Sequence, residues 1–463
     1  EIIKHRFAED KKDAALKGFT AGVDIDMVGD TLDGDVYAHY LKNLVEEGLI
    51  TEEQINNSVR NVLRMKFKLG LFEDPYVNPE KIQNDVKLEK DRTLALMAAH
   101  ETITLLKNDE NILPISLSQF KDIAVIGPNA HRKLLGGYSG EPKYYTSVLD
   151  GIKQKVGNQV NVRYSEGCRL TEGGSWNDDL ITFVDDEVNN RLIEEAVENV
   201  KKSEVIILAL GGNEQTSREA WNKNHMGDRA DLELFGRQND LIKALLKINK
   251  PIIALLFNGR PNACKFLNDS VSTILECWYL GQETGVAVAD VLFGNYNPSG
   301  KLPISFPRSA GHIPCYYNYK PSARRGYLND EISPLYAFGY GLSYTSFKIS
   351  NLTLEKSSIR KNESTKVFVD IQNTGDREGE EVIQLYIRDM FSSVTRPVKE
   401  LRGFTKVNLK PSEKKTISME VLPEHLAFTN INYEWTVESG DFEIMVGNSS
   451  RDQDLIKTLL SVI

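Results

Sequence analysis

Four short runs of mainly apolar residues constrain the fold of this chain more than any other feature of the sequence. The runs span residues 123–126, 205–210, 252–257 and 273–280. Glycine, proline or asparagine bounds them, and helical patterns lie between them at residues 190–202 and 238–248. Strands that are apolar along their whole length and alternate with helices are typical of a mostly parallel sheet covered on both faces. We therefore predict a doubly wound α/β domain over residues 92–310.

The residues before this domain have a helical pattern. Helices are predicted at residues 10–21, 37–47 and 51–68, with a short strand at residues 23–27. Val59, Leu63 and Phe67 recur at helical spacing in the third helix, which predicts a core-facing surface. Gly70 and the prolines that follow it break the pattern, so a domain boundary is expected over residues 70–92.

Two acids in the predicted short strand, Asp24 and Asp26, are candidates for catalytic carboxylates. Short acidic side chains also cap neighbouring loops and accept hydrogen bonds from backbone amides, and we favour this structural interpretation.

The last third of the chain changes to a period of two. Alternating apolar and polar residues predict strands at residues 366–371, 382–387, 416–421 and 442–446. Short strands separated by turn residues indicate an antiparallel β-sandwich over residues 346–463. A connecting segment rich in proline, tyrosine and glycine, residues 311–345, precedes it.

Composition excludes several classes of function. The net charge of −10 argues against a nucleic acid or an anionic membrane as partner. The four cysteines and seven histidines are scattered without metal-ligand spacing, so no metal site is expected. The glycine turns after the strands spell neither GxGxxG nor a Walker loop, and no nucleotide or other cofactor is predicted. No run approaches the ~18 apolar residues of a membrane span.

A long polar segment follows the second apolar run, at residues 211–237. It contains two carboxylates, Glu214 and Glu219, and an aromatic residue, Trp221. Ligands of open α/β sheets bind to the loops that follow the strands, and loops of this length in compact domains are usually functional or disordered. The residues alone leave two interpretations open: a ligand-binding loop, and a solvated loop whose charges face water.

Four stretches of the chain resemble one known family. They are KFKLGLFEDPYVNP (66–79), GQETGVAVADVLFGNYNPSGKLPISFP (281–307), SPLYAFGYGLSYTSF (333–347), and VIQLYIRD (382–389) followed by RPVKELRGF (396–404). In this order they are similar to the carboxy-terminal two-thirds of a family 3 glycoside hydrolase. The resemblance implies the end of a (β/α)8 barrel, an α/β/α sandwich and a fibronectin type III-like domain. The implied ranges are residues 1–70 for the barrel remnant, 71–91 and 311–345 for linkers, 92–310 for the sandwich domain and 346–463 for the last domain.

The resemblance also implies a chemistry, the retaining hydrolysis of β-glycosides by two carboxylates. By similarity to members with a Ser-Arg-Glu-Ala-Trp arrangement, Glu219 would be the acid/base, with Glu214 as the runner-up. The family's nucleophile is an Asp in a Ser-Asp-Trp motif, which is absent here, so it is expected upstream of Glu1, and Asp24 and Asp26 are not assigned to it. The chain would then hold half of a catalytic pair and be inactive alone. Such a pair stands ~5 Å apart, and the acid needs a raised pKa.

The same resemblance suggests a substrate class and a cellular location. It favours terminal β-D-glucosyl residues, with β-D-xylosides as the alternative, and a non-catalytic carbohydrate-binding relative as a further one; a Ser-Asp-Trp motif upstream of Glu1 would distinguish enzyme from binder. Trp221 either stacks on a sugar face or anchors the loop by packing, and Asp228 and Arg229 are expected to pair and stiffen it. The expected location is periplasmic or extracellular, with the true N-terminus missing from this chain. The oligomeric state stays open.

Overall fold

The computed structural model describes residues 2–27, 36–81, 88–173, 180–217, 228–322 and 326–463. By its internal contacts the chain divides into two compact units, Glu1–Lys87 and Leu88–Ile463.

The first unit is helical in its described part. Its helices are α1 (Lys11–Thr20), α2 (Val36–Glu46) and α3 (Glu52–Lys68), with a 3-10 turn at Pro79–Lys81. Side chains start two of them: Asp10 accepts a hydrogen bond from the Asp13 N–H at α1, and Thr51 forms a capping box with Gln54 at α3. A small apolar core joins α1, α2 and the turn that follows α2. Its buried members are Ala15, Phe19, Leu44 and Ile50.

Two expectations for this unit were wrong. Residues 23–27 form no strand, because the described residues of the unit offer no second strand with which the backbone could pair. The apolar face of α3 is not core: Val59 is 47% exposed, Leu63 38% and Phe67 60%. No described element of this unit covers that face.

The second unit begins with an α/β domain. Its strands are β1 (Thr104–Asn108), β2 (Asp122–Ile126), β3 (Asn161–Ser165), β4 (Val205–Gly211), β5 (Ile252–Phe257) and β6 (Thr273–Glu276). Its helices are α4 (Leu88–Thr102), α5 (Val148–Val156), α6 (Asp186–Val200), α7 (Gln238–Leu246), α8 (Lys265–Ser270) and α9 (Thr284–Leu292). The strand order is β1-β6-β5-β4-β2-β3, and every pair is parallel except β1 with β6. The predicted mostly parallel sheet is confirmed.

Burial on both faces of this sheet explains its continuous apolar strands. Alternate residues of one strand enter different cores: Ile207 and Ala209 pack on one face, and Ile206 and Leu208 on the other. All four are completely buried. Since neither face meets water, neither needs polar residues.

The chain ends in a β-sandwich. Its strands are β7 (Phe347–Leu354), β8 (Ser358–Ile359), β9 (Thr365–Asn373), β10 (Gly379–Asp389), β11 (Glu400–Leu409), β12 (Lys414–Val421), β13 (Phe428–Thr429), β14 (Trp435–Thr436), β15 (Gly440–Gly447) and β16 (Leu455–Val462), with a short helix α10 (Pro423–Leu426). The two main sheets have the orders β11-β10-β15-β16-β8 and β12-β9-β7. Their pairings are antiparallel apart from the two-residue strand β8 beside β16. The predicted β-sandwich is therefore confirmed.

Within the residues that the structure describes, no helix is long and apolar enough to cross a bilayer.

Candidate functional site

The site is built where parallel strands β2, β4, β5 and β6 end. Because these strands run in the same direction, the loops after them meet at one edge of the sheet, which we call the carboxyl edge. Two glycines allow the strands to end close together. Gly127 has φ +120° and Gly211 φ +124°, and a Cβ on either would lie about 2 Å from a carbonyl oxygen of the adjacent strand, 2.1 Å and 2.0 Å respectively.

The side chain of Gln238 joins the two ends of the polar segment 211–237 by hydrogen bonds. Gln238 is the first residue of α7 and is fully buried. Its Oε1 accepts from the Gly211 N–H at 2.8 Å, and its Nε2 donates to the Gly211 carbonyl, also at 2.8 Å. These two hydrogen bonds therefore hold the end of β4 against the start of α7, and they use no residue between Gly211 and Gln238.

A hydrogen-bonded turn follows Gly211. The Asn213 Oδ1 accepts from the Thr216 N–H, and the Thr216 Oγ1 accepts from the Asn213 N–H, both at 2.9 Å. The Asn213 Nδ2 donates to the Thr171 Oγ1 at 3.1 Å, which connects the turn to the loop after β3. This turn fixes the backbone that carries Glu214.

Glu214, one of the two predicted carboxylates, lies on the turn with its side chain 15% exposed. Its Oε2 is 3.7 Å from Nη2 of Arg132, a residue of the loop after β2. The loops after β2 and β4 are thus joined by opposite charges.

The next contact joins the loops after β4 and β6. The Ser217 and Tyr279 hydroxyl oxygens are 3.2 Å apart. Burial raises the pKa of Tyr279 to about 12, with Ser217 and Arg132 acting in the opposite direction and Glu214 in the same direction. Tyr279 is therefore a neutral hydroxyl at physiological pH.

Arg260, in the loop after β5, binds on both sides of the stretch 218–227. Its Nη2 donates to the Ser217 carbonyl and its Nη1 to the Asp228 Oδ1, each at 2.8 Å. Desolvation opposes ionisation of Asp228, but the hydrogen bonds from Arg260 and the Arg229 N–H outweigh it, so the pKa of Asp228 is lowered. A single guanidinium thus binds the last described residue before this stretch and the first described residue after it.

The expected pairing of Asp228 with the Arg229 side chain was wrong. The Arg229 guanidinium turns the other way, where its Nη2 donates to the Asp231 Oδ1 at 2.9 Å and to the Glu233 carbonyl. Only the backbone N–H of Arg229 reaches Asp228. The preference arises because Arg260 offers Asp228 a charged donor from another loop, which local sequence does not reveal.

Glu276 is a buried acid at the end of β6. Its Oε1 accepts from the Trp278 N–H at 3.0 Å and its Oε2 from the Asn258 Nδ2 at 2.9 Å. Burial raises its pKa to about 8, against the opposing effect of these two bonds. The Asn258 Oδ1 is buried without a partner in the described structure. A protonated Glu276 can donate to that oxygen once the Asn258 amide is turned over.

The other predicted site residues are distributed as follows. Glu219 and Trp221 lie outside the described residues. In the first unit, the Asp26 Oδ2 accepts from the backbone N–H groups of Val36 and Tyr37 at the start of α2, and the Asp24 carboxylate accepts from Asn61. Both acids therefore have the structural contacts that we favoured for them. Among the described residues, no group of three or more His, Cys, Asp or Glu side chains could hold a metal ion.

Four residues of the carboxyl edge were missed by the sequence analysis: Arg132, Arg260, Glu276 and Tyr279. Arg132 and Arg260 lie in loops that follow predicted strands, so the rule that singled out residues 211–237 would have found them. Glu276 and Tyr279 fall inside the predicted run 273–280, because the observed strand already ends at Glu276. Glu276 had a further signal, since it is the only charged residue within an apolar run.

Comparison with known proteins identifies the family to which two parts of the chain are similar. Residues 103–344 match the glycosyl hydrolase family 3 C-terminal domain, and residues 381–450 match a fibronectin type III-like domain. A β-xylosidase of Formosa agariphila is 39% identical over 99% of this chain, and a periplasmic β-glucosidase of Salmonella typhimurium is 36% identical over 97%. The chain spans 62% and 60% of the lengths of these two relatives.

Solved structures agree with the sequence relatives. A β-glucosidase of Erythrobacter marinus superimposes with a TM-score of 0.93 at 39% identity, and a β-glucosidase of Listeria innocua in complex with isofagomine superimposes with 0.87 at 35%. Each comparison covers 100% of this chain and 62% of the other. The expected resemblance is confirmed: this chain belongs to glycosyl hydrolase family 3.

Proposed function

We propose that the full-length protein is a retaining β-glycosidase and that Glu219 is its general acid and base. One observation carries the assignment: the stretch that contains Glu219 is anchored on both sides by Arg260 at the carboxyl edge, the ligand-binding edge of a doubly wound sheet. The relatives support the reaction class, since they are β-glucosidases and β-xylosidases.

The proposed mechanism is a double displacement. An Asp nucleophile, which we place upstream of Glu1 in the full-length protein, attacks the anomeric carbon while Glu219 protonates the departing oxygen. Glu219 then takes a proton from water, which attacks the glycosyl-enzyme and releases the sugar with its β configuration retained. Asp26 is not a candidate for the nucleophile, because its carboxylate caps α2.

Glu214 remains the runner-up for the acid/base. Its contact with Arg132 and its place in the Asn213–Thr216 turn favour a role in holding the loops together. A proton donor must instead reach the glycosidic oxygen and exchange its proton twice in each cycle.

For the substrate we propose a terminal, non-reducing β-D-glucosyl residue, with a β-D-xylosyl residue as the alternative. Both alternatives have support among the relatives, and structures of the Listeria enzyme are described as complexes with glucose and with laminaribiose. We place most of the groups that bind the sugar hydroxyls outside this chain, and Trp221 against the sugar on the aglycone side. The ratio of kcat/KM for p-nitrophenyl β-D-glucoside and β-D-xyloside decides between the two sugars.

The acid/base is tested by Glu219→Ala in the full-length protein. Hydrolysis of a disaccharide should fall by about 10²-fold or more, because its alkoxide then departs unprotonated. The rate of the first displacement should fall much less for a dinitrophenyl glycoside, since its leaving group needs no proton. Azide should restore turnover and give a β-glycosyl azide, because it attacks the glycosyl-enzyme without a base.

Glu214→Ala is the matched control, a second carboxylate of the same segment. It should show neither leaving-group dependence nor azide rescue. If rescue follows Glu214 instead, the assignment moves five positions upstream; if neither variant is rescued, the segment does not supply the acid/base.

A further inference from the structure

The proline- and tyrosine-rich segment 311–345 has no part in the proposed chemistry, yet it forms one wall of a large cleft. The cleft has a volume of about 1100 Å³. Its floor is the outer face of the five-stranded sheet of the sandwich, where Arg388 of β10, Glu443 of β15 and Lys457 of β16 lie. None of its lining residues belongs to the loops of the carboxyl edge.

Aromatic rings dominate the wall. Tyr316 is 67% exposed, Tyr327 45% and Tyr319 37%, and all three line the cleft. Aromatic packing supports this wall, because Tyr317 stacks on Phe338 with ring centroids 4.2 Å apart. Rigid tyrosines that present both a ring face and a hydroxyl are suited to ligands with apolar faces and polar edges.

The charge of the cleft is opposite to that of the whole chain. Five basic side chains line it, Arg308, Arg388, Lys399, Arg451 and Lys457, against two acidic ones, Glu443 and Asp452. The chain as a whole has a net charge of −10. Acidic side chains outside the lining pair with Arg308 and Arg451, at Glu331 and Asp454, so the excess of positive charge is smaller than the lining alone suggests. A remaining local excess on an acidic protein favours an anionic ligand.

Among the residues that the structure describes, the guanidinium of one of these cations has no hydrogen-bond partner. Lys399 donates to the Ser450 carbonyl and the Asp452 Oδ1, at 2.8 and 2.7 Å, and Arg308 binds Glu331 and Ser333. Arg388 is half-buried, lies opposite Glu443 in the β10–β15 pairing, and its charge helps to lower the pKa of Asp452. Its guanidinium nevertheless makes no hydrogen bond and no ion pair within 4.0 Å with any residue that the structure describes. Its guanidinium is thus available to a carboxylate or sulfate, which it can bind through two parallel hydrogen bonds.

We propose that this cleft is a second, non-catalytic binding site for an acidic oligosaccharide, in which sugar rings stack on the exposed tyrosines and an acid group pairs with Arg388. Carboxylated and sulfated sugars share this chemistry. The cleft is larger than a single sugar ring requires, which suits an oligosaccharide. The proposal does not depend on the assignment of Glu219, because binding is measured without turnover.

The test is isothermal titration of the full-length protein with trigalacturonic acid, with a sulfated carrageenan oligosaccharide and with neutral maltotriose, whose α-linkages are not those of the proposed substrate. At least one acidic probe should bind at least tenfold more tightly than maltotriose, and its affinity should fall as salt is raised. Arg388→Ala and Tyr316→Ala should each weaken that binding by about tenfold, while Arg388→Lys should lose less than Arg388→Ala. Neither alanine variant should change kcat/KM on an aryl glycoside.

Arg360→Ala and Tyr433→Ala are matched controls, since both residues are exposed on the sandwich outside the cleft. They should leave the affinity unchanged, and thermal unfolding should show that all variants fold. Tight binding of only one acidic probe supports the site and identifies its acid group. The proposal is overturned if neither acidic probe binds more tightly than maltotriose, if inorganic sulfate at equal concentration binds as well as the sugars, or if binding survives both cleft substitutions.

Discussion

Glu276→Gln should make the α/β domain more stable at alkaline pH. In the folded protein the pKa of Glu276 is raised from the ordinary value of 4.5 to about 8 by burial. Between these values the folded state holds one proton that the unfolded state has lost. The free energy of unfolding therefore decreases as pH rises through this interval, and the contribution is intact only below about pH 4.5.

The magnitude follows from the width of the interval. One proton changes stability by about 1.4 kcal/mol per pH unit, so an interval from 4.5 to about 8 corresponds to about 5 kcal/mol. Glutamine cannot ionise and removes this dependence. It keeps the acceptor for the Trp278 N–H, and its amide nitrogen can donate to the unpartnered Asn258 Oδ1 after that amide turns over.

Urea unfolding of both proteins at pH 5, 7 and 9, followed by circular dichroism, measures the effect. The free energy of the variant relative to the parent should rise by several kcal/mol from pH 5 to pH 9. Glu195→Gln, at an exposed glutamate of α6, controls for the loss of one charge. A difference that is the same at pH 5 and pH 9 would refute the reasoning, because Glu276 would then ionise as readily in the folded state as in the unfolded one.

Three further changes test the carboxyl edge. Arg260→Ala should lower kcat by about 10–100-fold with a smaller change in KM and a shifted pH–rate profile, because Glu219 loses its positioning; Arg260→Lys should restore part of the activity. Tyr279→Phe should destabilise the domain by about 1 kcal/mol in thermal unfolding, since the ring stays and only the Ser217 contact is lost. Gly211→Ala should cost about 3 kcal/mol or more, because its Cβ would meet a carbonyl oxygen at 2.0 Å in a left-handed backbone, and an unchanged unfolding temperature would contradict that geometry.

The strands of the sheet could be predicted to the extent that they are buried. β4 and β5 are apolar throughout and were located within one residue. β3 was missed because it lies at the edge of the sheet, where its sequence NVRYS is half exposed and has no continuous apolar signal. The exposed apolar face of α3 shows a different limit of sequence analysis. Periodicity identifies an apolar face, but it does not show whether another element covers that face.

The candidate site was found only in part, for a similar reason. Glu214 and Glu219 were singled out because they lie in one long segment. Arg260 and Tyr279 act on that segment from 43 and 62 residues away, measured from Ser217. Contacts between loops of different strands depend on strand order, which a single sequence does not specify.

The two sets of anchors around residues 211–237 also affect how this protein can diverge. Gln238 joins the outer ends of the segment, and Arg260 joins Ser217 to Asp228 within it. Neither anchor uses a side chain of residues 218–227, so exchanges there leave these two anchors intact. Natural sequence change in the proposed catalytic stretch can therefore proceed with both anchors kept, and an engineer could exchange the stretch between relatives as one unit with Gln238 and Arg260 retained.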